Sequence, residues 1–234
     1  FDQRKISVSQ WLDFMVMIIG HGSFNLTSKI NRNAFTTTKY WMNKLFLILE
    51  EWQDSIELKG DIYLDETYYP LMEKDTEKRP DGKEYRGLSR NQMCIGIACD
   101  RENAVFVFEG YGKTSKKKTL DAFSSHIKEG SHLIHDKEEG HSALVSKLGL
   151  TEDAYDSRKL KGIPDNDNPL DRVNELCNLL QQFLSSHSGF DRDDIQDYLN
   201  LFSVMVNPPH NKYEKVKKIL ELGLEKPVLV RFRD

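Results

Sequence analysis

The sequence predicts an α/β protein: a mixed β-sheet with flanking helices, preceded by a small all-helical module. Three observations predict this class. Residues 1–56 show only helical periodicity, residues 57–207 contain β-branched and aromatic segments between turn residues, and amphipathic helical patterns separate and follow those segments. The 234 residues, of which 38% are hydrophobic, suffice for one good core and a small appendage.

Residues 1–56 are predicted to form a helix-turn-helix module. The first helix has an apolar face with the spacing i, i+3, i+4, i+7, made of Trp11, Phe14, Met15 and Ile18. A short second helix is expected at 26–30. A longer third helix is expected to begin in the threonine run that follows the turn "NRN".

The last helix of a helix-turn-helix enters the DNA major groove. The leading residues of the third helix are therefore expected to reach phosphates and base edges: Thr36, Thr37, Thr38 and Lys39. A small three-helix packing that does not bind DNA fits this segment equally well.

The following region alternates between strands and helices. The segments "DIYLD", "QMCIGIACD" and "AVFVFEGYG" are predicted to be three successive strands. A helix in "KKKTLDAFSSHIKEG" is expected to end at Gly130, and "SHLIHD" is predicted to be a fourth strand. A short helix is expected in "EEGHSALVSKLGL" and a fifth strand in "DSRKL", and long helices are expected at 171–187 and 192–206.

This order of elements is that of the ribonuclease H-like fold, which we expect over residues 57–207. Residues 208–234 are expected to form a C-terminal helical tail. In such a sheet the first and fourth strands are neighbours, so Asp65 and Asp136, predicted at the ends of those strands, should meet. Either Asp alone is better explained as a turn residue. Their placement on adjacent strands favours a shared site.

Two converging carboxylates repel each other unless cations lie between them. Oxygen ligands select Mg²⁺ or Mn²⁺, and these ions retain water and phosphate oxygens in their remaining positions. A pair of such ions can activate an attacking oxygen and stabilise a leaving oxygen. The sequence thus points to metal-dependent phosphoryl transfer.

The charge distribution gives a mixed indication about nucleic acid. A net charge of −4 and a pI near 6.0 argue mildly against it. Positive charge nevertheless gathers in "KTSKKK" and around the turn "RPDGK". The candidates for DNA-backbone contacts in these two segments are Arg86, Arg90, Lys116, Lys117 and Lys118. Solvated loops are the alternative explanation for such lysine runs.

The cysteines and the hydropathy pattern indicate the cellular compartment in which the protein is expected. Cys94, Cys99 and Cys177 form no CxxC pair and no metal-ligand spacing, which is typical of reduced thiols. No apolar stretch has the length of a membrane span, and no signal-peptide pattern occurs. We therefore expect a cytoplasmic protein without membrane contact.

Four ordered segments resemble successive motifs of the DDE-type transposases of small bacterial insertion sequences: "GDIYLDETYYP", "RGLSRNQMCIGIACD", "GSHLIHDKEEGHSALV" and "NELCNLLQQFLSSHSGFDRDDIQDYLNLF". The similarity is greatest to the branch whose third catalytic residue is Asn. It implies a transposase that cuts element ends and joins their 3′-hydroxyl to target DNA. The resemblance also implies that the partner is double-stranded DNA, that the protein acts on it as a homo-oligomer, and that a zinc ribbon lies upstream of the chain.

The resemblance implies Asp65, Asp136 and Asn174 as the catalytic residues and as the ligands of two Mg²⁺ or Mn²⁺ ions. Glu175 is the rival third ligand, because the helical wheel places the two neighbours on opposite sides of the apolar stripe. An Asn oxygen can coordinate Mg²⁺ but adds no negative charge.

The sequence departs from that branch at two positions. Cys177 stands where a His is usual and Gln181 where a Lys is usual. Gln181 is expected to meet phosphate through a hydrogen bond, without a charge. An inactive DNA-binding derivative is therefore the alternative function, and a metal-dependent nuclease of the same fold is a third.

Three further side chains are expected to assist the site. Glu66, His135 and His141 lie beside the candidate ligands in the sequence and are candidates for orienting water or phosphate. A His beside a strand end is, however, more often structural.

Overall fold

The computed structural model describes residues 7–85, 87–164 and 167–225. Five strands are present in this part of the chain: β1 (Asp61–Pro70), β2 (Gln92–Cys99), β3 (Ala104–Tyr111), β4 (His132–Asp136) and β5 (Thr151–Tyr155). The helices are α1 (Val8–Ile19), α2 (Phe24–Ile30), α3 (Phe35–Leu49), α4 (Lys116–Phe123), α5 (Ser142–Leu148), α6 (Ser157–Leu160), α7 (Asp171–Ser186), α8 (Ile195–Val206) and α9 (Lys212–Glu225).

The strands form one sheet in the order β3-β2-β1-β4-β5. Strand β2 runs antiparallel to β1 and β3, whereas β4 is parallel to both β1 and β5. This mixed sheet with helices on both faces is the ribonuclease H-like arrangement, so the predicted fold is confirmed. The predicted neighbourhood of the first and fourth strands is confirmed as well, with Leu64 opposite His135.

Hydrophobic side chains bury both faces of the sheet. On one face, Phe106 of β3 packs against Phe202 of α8 at a ring-centroid distance of 5.0 Å, and α7 covers the same side. On the other face, Phe123 of α4 and Leu144 of α5 pack with Leu64 of β1. A fully buried side chain of this size contributes about 1.5–3 kcal/mol through removal of apolar surface from water.

The N-terminal helices pack onto the α8 side of this core. Trp41 of α3 stacks on Trp11 of α1 at 5.3 Å, and Phe46 of α3 contacts Tyr198 of α8 at 5.0 Å. Helix α9 lies against α1 and α3. The module boundaries expected at residues 56 and 208 stay predictions, and residues 226–234 of the expected tail lie outside the described residues.

Three local predictions were wrong. The fifth strand is Thr151–Tyr155, and "DSRKL" is instead the cap and helix of α6, because the Asp156 carboxylate accepts the Arg158 backbone N–H and starts a helix. Strand β1 does not end at Asp65 but remains paired with β2 as far as Pro70. Helix α4 ends at 123, because the chain after it pairs with the segment that precedes β1.

No helix in the described ranges combines the length and hydrophobicity that a membrane span needs.

Candidate active site

The three predicted metal ligands lie together in one open cleft of about 390 Å³. Asp65 comes from β1, Asp136 from the end of β4 and Asn174 from the first turns of α7. These positions are separated by tens of residues in the sequence, so only the sheet topology brings them together. Glu175 is exposed and is not among the described residues that line the cleft. Asn174 therefore faces the two aspartates, and its rival does not.

Alternation along the strands explains why both aspartates reach the same cleft. In β1, Tyr63 and Tyr69 belong to the core on the α7 side, and Asp65 shares their parity. Leu64 lies opposite His135 in the parallel pair, so the next positions along the two strands are Asp65 and Asp136. The sheet thus places the two carboxylates on neighbouring strands.

Hydrogen bonds fix α7 against β1. The Gln181 side-chain amide donates to Thr67 Oγ1 at 2.8 Å and to the Tyr68 carbonyl at 3.0 Å. The Tyr69 hydroxyl donates to the Leu184 carbonyl at 3.2 Å. These bonds hold the helix that carries Asn174 in a defined position over the strand that carries Asp65.

Backbone amides orient both aspartates. The Glu66 N–H donates to Asp65 Oδ1 at 2.8 Å, and the Glu138 N–H donates to Asp136 Oδ1 at 3.1 Å. Among the described residues, no hydrogen bond engages the Oδ2 atom of either aspartate. Each carboxylate is therefore held by one oxygen while the other is free to bind a cation.

Burial makes the metal-free site unfavourable for negative charge. It raises the pKa of Asp65 to about 7, with further contributions from the charges of Glu66 and Asp136 and an opposing one from the Glu66 N–H hydrogen bond. Burial also raises the pKa of Asp136, to which Glu66 and Glu138 add. A divalent cation between these groups would relieve the repulsion. Two carboxylates and an amide oxygen in an open cleft are a donor set that fits Mg²⁺ or Mn²⁺.

A chain of four polar side chains lies behind the cleft, on the α4–α5 side of the sheet. His141 Nε2 is 2.9 Å from Glu66 Oε1, the two Nδ1 atoms of His141 and His135 are 2.7 Å apart, and His135 Nε2 is 3.2 Å from Glu152 Oε2. His141 is fully buried and His135 is 3% exposed. The sheet thus contains a hydrogen-bond network that is buried from Glu66 to His135, on the face opposite the two aspartates, and that ends at the more exposed Glu152.

Proton counting defines the charge of this network. With both glutamates ionised, its three contacts need three N–H protons, whereas two neutral imidazoles supply only two. One imidazole must therefore be cationic. Burial opposes that charge, but the Glu66 hydrogen bond and the nearby acids outweigh it and raise the pKa of His141. Burial and the neighbouring His141 lower the pKa of His135, so His141 is the imidazole of the pair that favours the cationic form.

One oxygen of Asp136 and one nitrogen from each of His135 and His141 lie within 4.8 Å of one another. This cluster resembles a metal site in composition. Two nitrogens bound to one tetrahedral zinc at about 2.1 Å would, however, lie about 3.4 Å apart. The observed 2.7 Å separation is that of a hydrogen bond.

Glu66, His135 and His141 do not line the cleft. The geometry therefore does not support the prediction that these side chains orient water or phosphate in the cleft. Their side chains face the opposite side of the sheet because they alternate with Asp65 and Asp136 along the strands. These three side chains hydrogen-bond to one another and so form a buried structural network on the opposite side of the sheet from the cleft.

A buried acid next to this network was not predicted. Glu109 of β3 is 9% exposed, and its Oε2 accepts the Thr114 hydroxyl at 2.5 Å. Its Oε1 has no hydrogen-bond partner among the described residues. Burial raises the pKa of Glu109 to about 7, and the charge of Glu66 adds to that increase. The only signal in the sequence is an acid inside the otherwise apolar segment "AVFVFEGYG".

The candidate DNA-binding residues of α3 lie away from the cleft. Thr36 and Lys39 are exposed and Thr37 is half-buried. Thr38 is buried, and its hydroxyl donates to the Ala34 carbonyl at 3.4 Å, so the prediction that it reaches DNA does not fit this structure. The reason is its position one turn before Trp41 on the buried face of the helix.

The lysines and arginines predicted to contact the DNA backbone near the sheet differ in their surroundings. Lys116 and Lys117 are exposed. Arg90 is exposed as well and forms an ion pair with Glu77 at 3.4 Å. The Lys118 ammonium donates to the Tyr111 and Lys113 carbonyls at 2.8 and 2.9 Å, so it closes the loop before α4. Arg86 lies outside the described residues.

Gln181 is also placed differently from its prediction. Both hydrogens of its side-chain amide are used by Thr67 and Tyr68, so they are not available to a phosphate. Conversely, Arg158 and Lys161 line the cleft although neither is among the predicted site residues. The signal in the sequence is the basic character of "SRKL", which a strand prediction for that segment does not direct toward the cleft.

Comparisons with known proteins give matches only among solved structures. No protein-family model matches the sequence, and no curated protein does. The catalytic domain of the Mos1 mariner transposase is 9% identical, with a TM-score of 0.41 over 77% of this chain and 85% of that one. The HTLV-2 integrase catalytic core domain in complex with magnesium is 14% identical, with a TM-score of 0.35 over 62% and 85%.

A third similar structure is a simian T-cell lymphotropic virus intasome in complex with PP2A regulatory subunit B56 gamma. It is 10% identical, with a TM-score of 0.39 over 64% of this chain and 49% of that one. The present chain thus spans about half the length of the matched intasome chain. The fold assignment itself rests on the strand order described above.

Proposed function

We propose that this protein is a DNA transposase, of the bacterial insertion-sequence branch with Asp, Asp and Asn as catalytic residues. It would cut element ends and join the resulting 3′-hydroxyl to target DNA. The observation that carries this proposal is the convergence of Asp65, Asp136 and Asn174 from three distant elements in one open cleft. The ordered motif similarity across the chain agrees with it.

Asp65, Asp136 and Asn174 would hold two Mg²⁺ or Mn²⁺ ions. Such ions, when bound, activate an attacking oxygen and stabilise a leaving oxygen in an in-line phosphoryl transfer. The contribution of the chain is to present oxygens that are oriented beforehand. The Glu66 and Glu138 backbone amides fix one oxygen of each aspartate, and α7 supplies Asn174 to the same cleft.

The neutral Asn174 has a consequence for metal binding. Three carboxylates would supply one more negative charge, so the second ion should be held less tightly here than in a site with three acids. The open cleft leaves space for a phosphate beside the ligands. In cutting, water would be the nucleophile, and in joining, the DNA 3′-hydroxyl.

The DNA partner is double-stranded: the element ends and the target. The α2–α3 region would recognise the terminal inverted repeats through Thr36, Thr37 and Lys39, of which Thr36 and Lys39 are exposed. Bringing two ends together requires more than one active site, so a homo-oligomer on DNA is part of the proposal.

Two observations favour a second function, that of a DNA-binding derivative without catalysis. Gln181 stands where the family has a Lys, and its amide is used inside the protein. Cys177 replaces a His one turn after Asn174, and burial raises the pKa of its thiol well above the usual range. It is therefore a neutral thiol near the cleft.

Incubation of the protein with Mg²⁺ and labelled duplexes that carry the DNA flanking its gene separates these functions. Joined products support the transposase, hydrolysis alone supports a nuclease, and retention of DNA without either product supports the binding protein. Asp65→Ala and Asp136→Ala should abolish turnover and preserve DNA retention. Asp61→Ala, an exposed acid on the same strand, is the matched control and should remain active. Full activity of both cleft variants would refute the proposed site.

A further inference from the structure

Helix α6 is positioned by the strands that carry the candidate site. In the parallel β4–β5 pair, Tyr155 lies opposite Asp136, so the chain that leaves β5 emerges beside this aspartate. The Asp156 side chain accepts the Arg158 N–H at 3.1 Å and turns the chain into α6. The segment that follows leads to α7 and Asn174. Helix α6 therefore lies between two elements that supply candidate ligands.

Two cations of this segment line the cleft together with both aspartates: Arg158 and Lys161. The Arg158 side chain is 90% exposed, and its Nε forms an ion pair with Asp156 Oδ1 at 3.2 Å. Its two terminal amino groups have no hydrogen-bond partner among the described residues. Lys161 is exposed and has no ion-pair partner within the described ranges. The terminal amino groups of Arg158 and the ammonium of Lys161 are thus available to an external anion.

Their place in the cleft distinguishes Arg158 and Lys161 from other basic side chains of the molecule. The Lys118 ammonium binds two backbone carbonyls. Lys116 and Lys117 are exposed, but they are not among the described residues that line the cleft. Lys159 is exposed on the same helix, but it is not among the described residues that line the cleft. The position of a residue along this segment, and not basic character alone, therefore brings a cation to the aspartates.

We propose that Arg158 and Lys161 bind the backbone phosphates of the DNA strand that enters the cleft. This inference rests on the proposed function and identifies how the substrate is held. Two positive side chains in the same cleft attract the DNA backbone, and before divalent ions bind they offset the repulsion from the two aspartates. A guanidinium with two open amino groups suits the two oxygens of a phosphate, and an ammonium suits a neighbouring one as a point charge.

The test measures the salt dependence of DNA binding in full-length protein. Fluorescence anisotropy of a fluorescein-labelled duplex of arbitrary sequence is followed in Ca²⁺, which fills oxygen sites, over a series of salt concentrations. Each lost phosphate contact should reduce the slope of log K against log salt by about 0.9, so Arg158→Ala/Lys161→Ala should reduce it by about 1.8. Lys159→Ala is the matched control and should leave the slope unchanged. Lys161→Arg keeps the charge and should preserve wild-type binding.

Several outcomes would overturn the inference. An unchanged slope in the double variant, or an equal loss in Lys159→Ala, would mean that these cations do not hold phosphates at the cleft. If the wild-type protein neither binds nor cuts DNA, the proposed function fails and the inference with it. If the wild-type protein cuts DNA and the double variant retains its slope, only the inference fails. Equal thermal denaturation midpoints of variants and wild type show that folding is preserved.

Discussion

Replacement of Asp65 by Asn is expected to make the metal-free protein more stable at neutral and alkaline pH. Burial raises the pKa of this carboxyl from 3.8 to about 7. The folded protein therefore keeps the proton up to about pH 7, whereas the unfolded chain loses it near pH 4. The stability of the metal-free protein consequently falls as the pH rises between these values. Asn carries no charge and removes this loss.

The magnitude follows from the same numbers. A difference of about 3 between the folded and unfolded pKa values, at 1.36 kcal/mol each, corresponds to about 4 kcal/mol. This is an upper value, because the Glu66 N–H then donates to a neutral oxygen instead of a carboxylate. We expect the free energy of unfolding of Asp65→Asn to exceed that of the wild type by about 2 to 4 kcal/mol at pH 8 and by little at pH 4.

The assay is urea denaturation in EDTA at these two pH values, with Asp61→Asn as the control. Asp61 is exposed on the same strand, so its variant should match the wild type. Addition of Mg²⁺ should stabilise the wild-type protein and leave Asp65→Asn unchanged. A variant that is less stable than the wild type in EDTA at pH 8 would refute the argument that this buried carboxylate is unfavourable without a cation.

Three further predictions concern the support of the site and the core. The stability advantage of Glu109→Gln over the wild type, measured as the free energy of unfolding, should grow by about 3 kcal/mol between pH 5 and pH 8. The reason is that burial raises the pKa of the Glu109 carboxyl to about 7. An advantage that is constant with pH would contradict this. His141→Asn leaves Glu66 and His135 without their shared partner and should lower the free energy of unfolding by about 3 to 5 kcal/mol in urea denaturation. A loss below 1 kcal/mol would contradict a charged network. Phe106→Ala should cost about 3 to 5 kcal/mol and shift the urea midpoint, and an unchanged midpoint would contradict the packing of its fully buried ring.

The sequence predicted the parts of the site that depend on topology. The neighbourhood of β1 and β4 follows from the order of the elements, and with it the approach of Asp65 and Asp136. Periodicity alone left Asn174 and Glu175 open, because the two flank the same apolar stripe. The choice of Asn174 came from the family resemblance, and the packing of α7 on β1 gives the physical reason for it.

Other features depend on contacts that one segment cannot indicate. Strand β5 has four exposed residues among its five and no apolar alternation, so its pattern did not identify a strand. The His141 network joins residues 75 positions apart, and its partners depend on which face each strand residue occupies. Thr38 is different, because its spacing from Trp41, Met42 and Leu45 already marks the buried face of α3.

The central claim is that Asp65, Asp136 and Asn174 hold divalent cations. The most direct measurement is an anomalous difference map from crystals of the protein soaked in Mn²⁺. We predict two peaks about 4 Å apart, in contact with the oxygens of these three side chains. Manganese bound elsewhere, for example at the His135 and His141 nitrogens, or the absence of a peak in the cleft at saturating Mn²⁺, would contradict it.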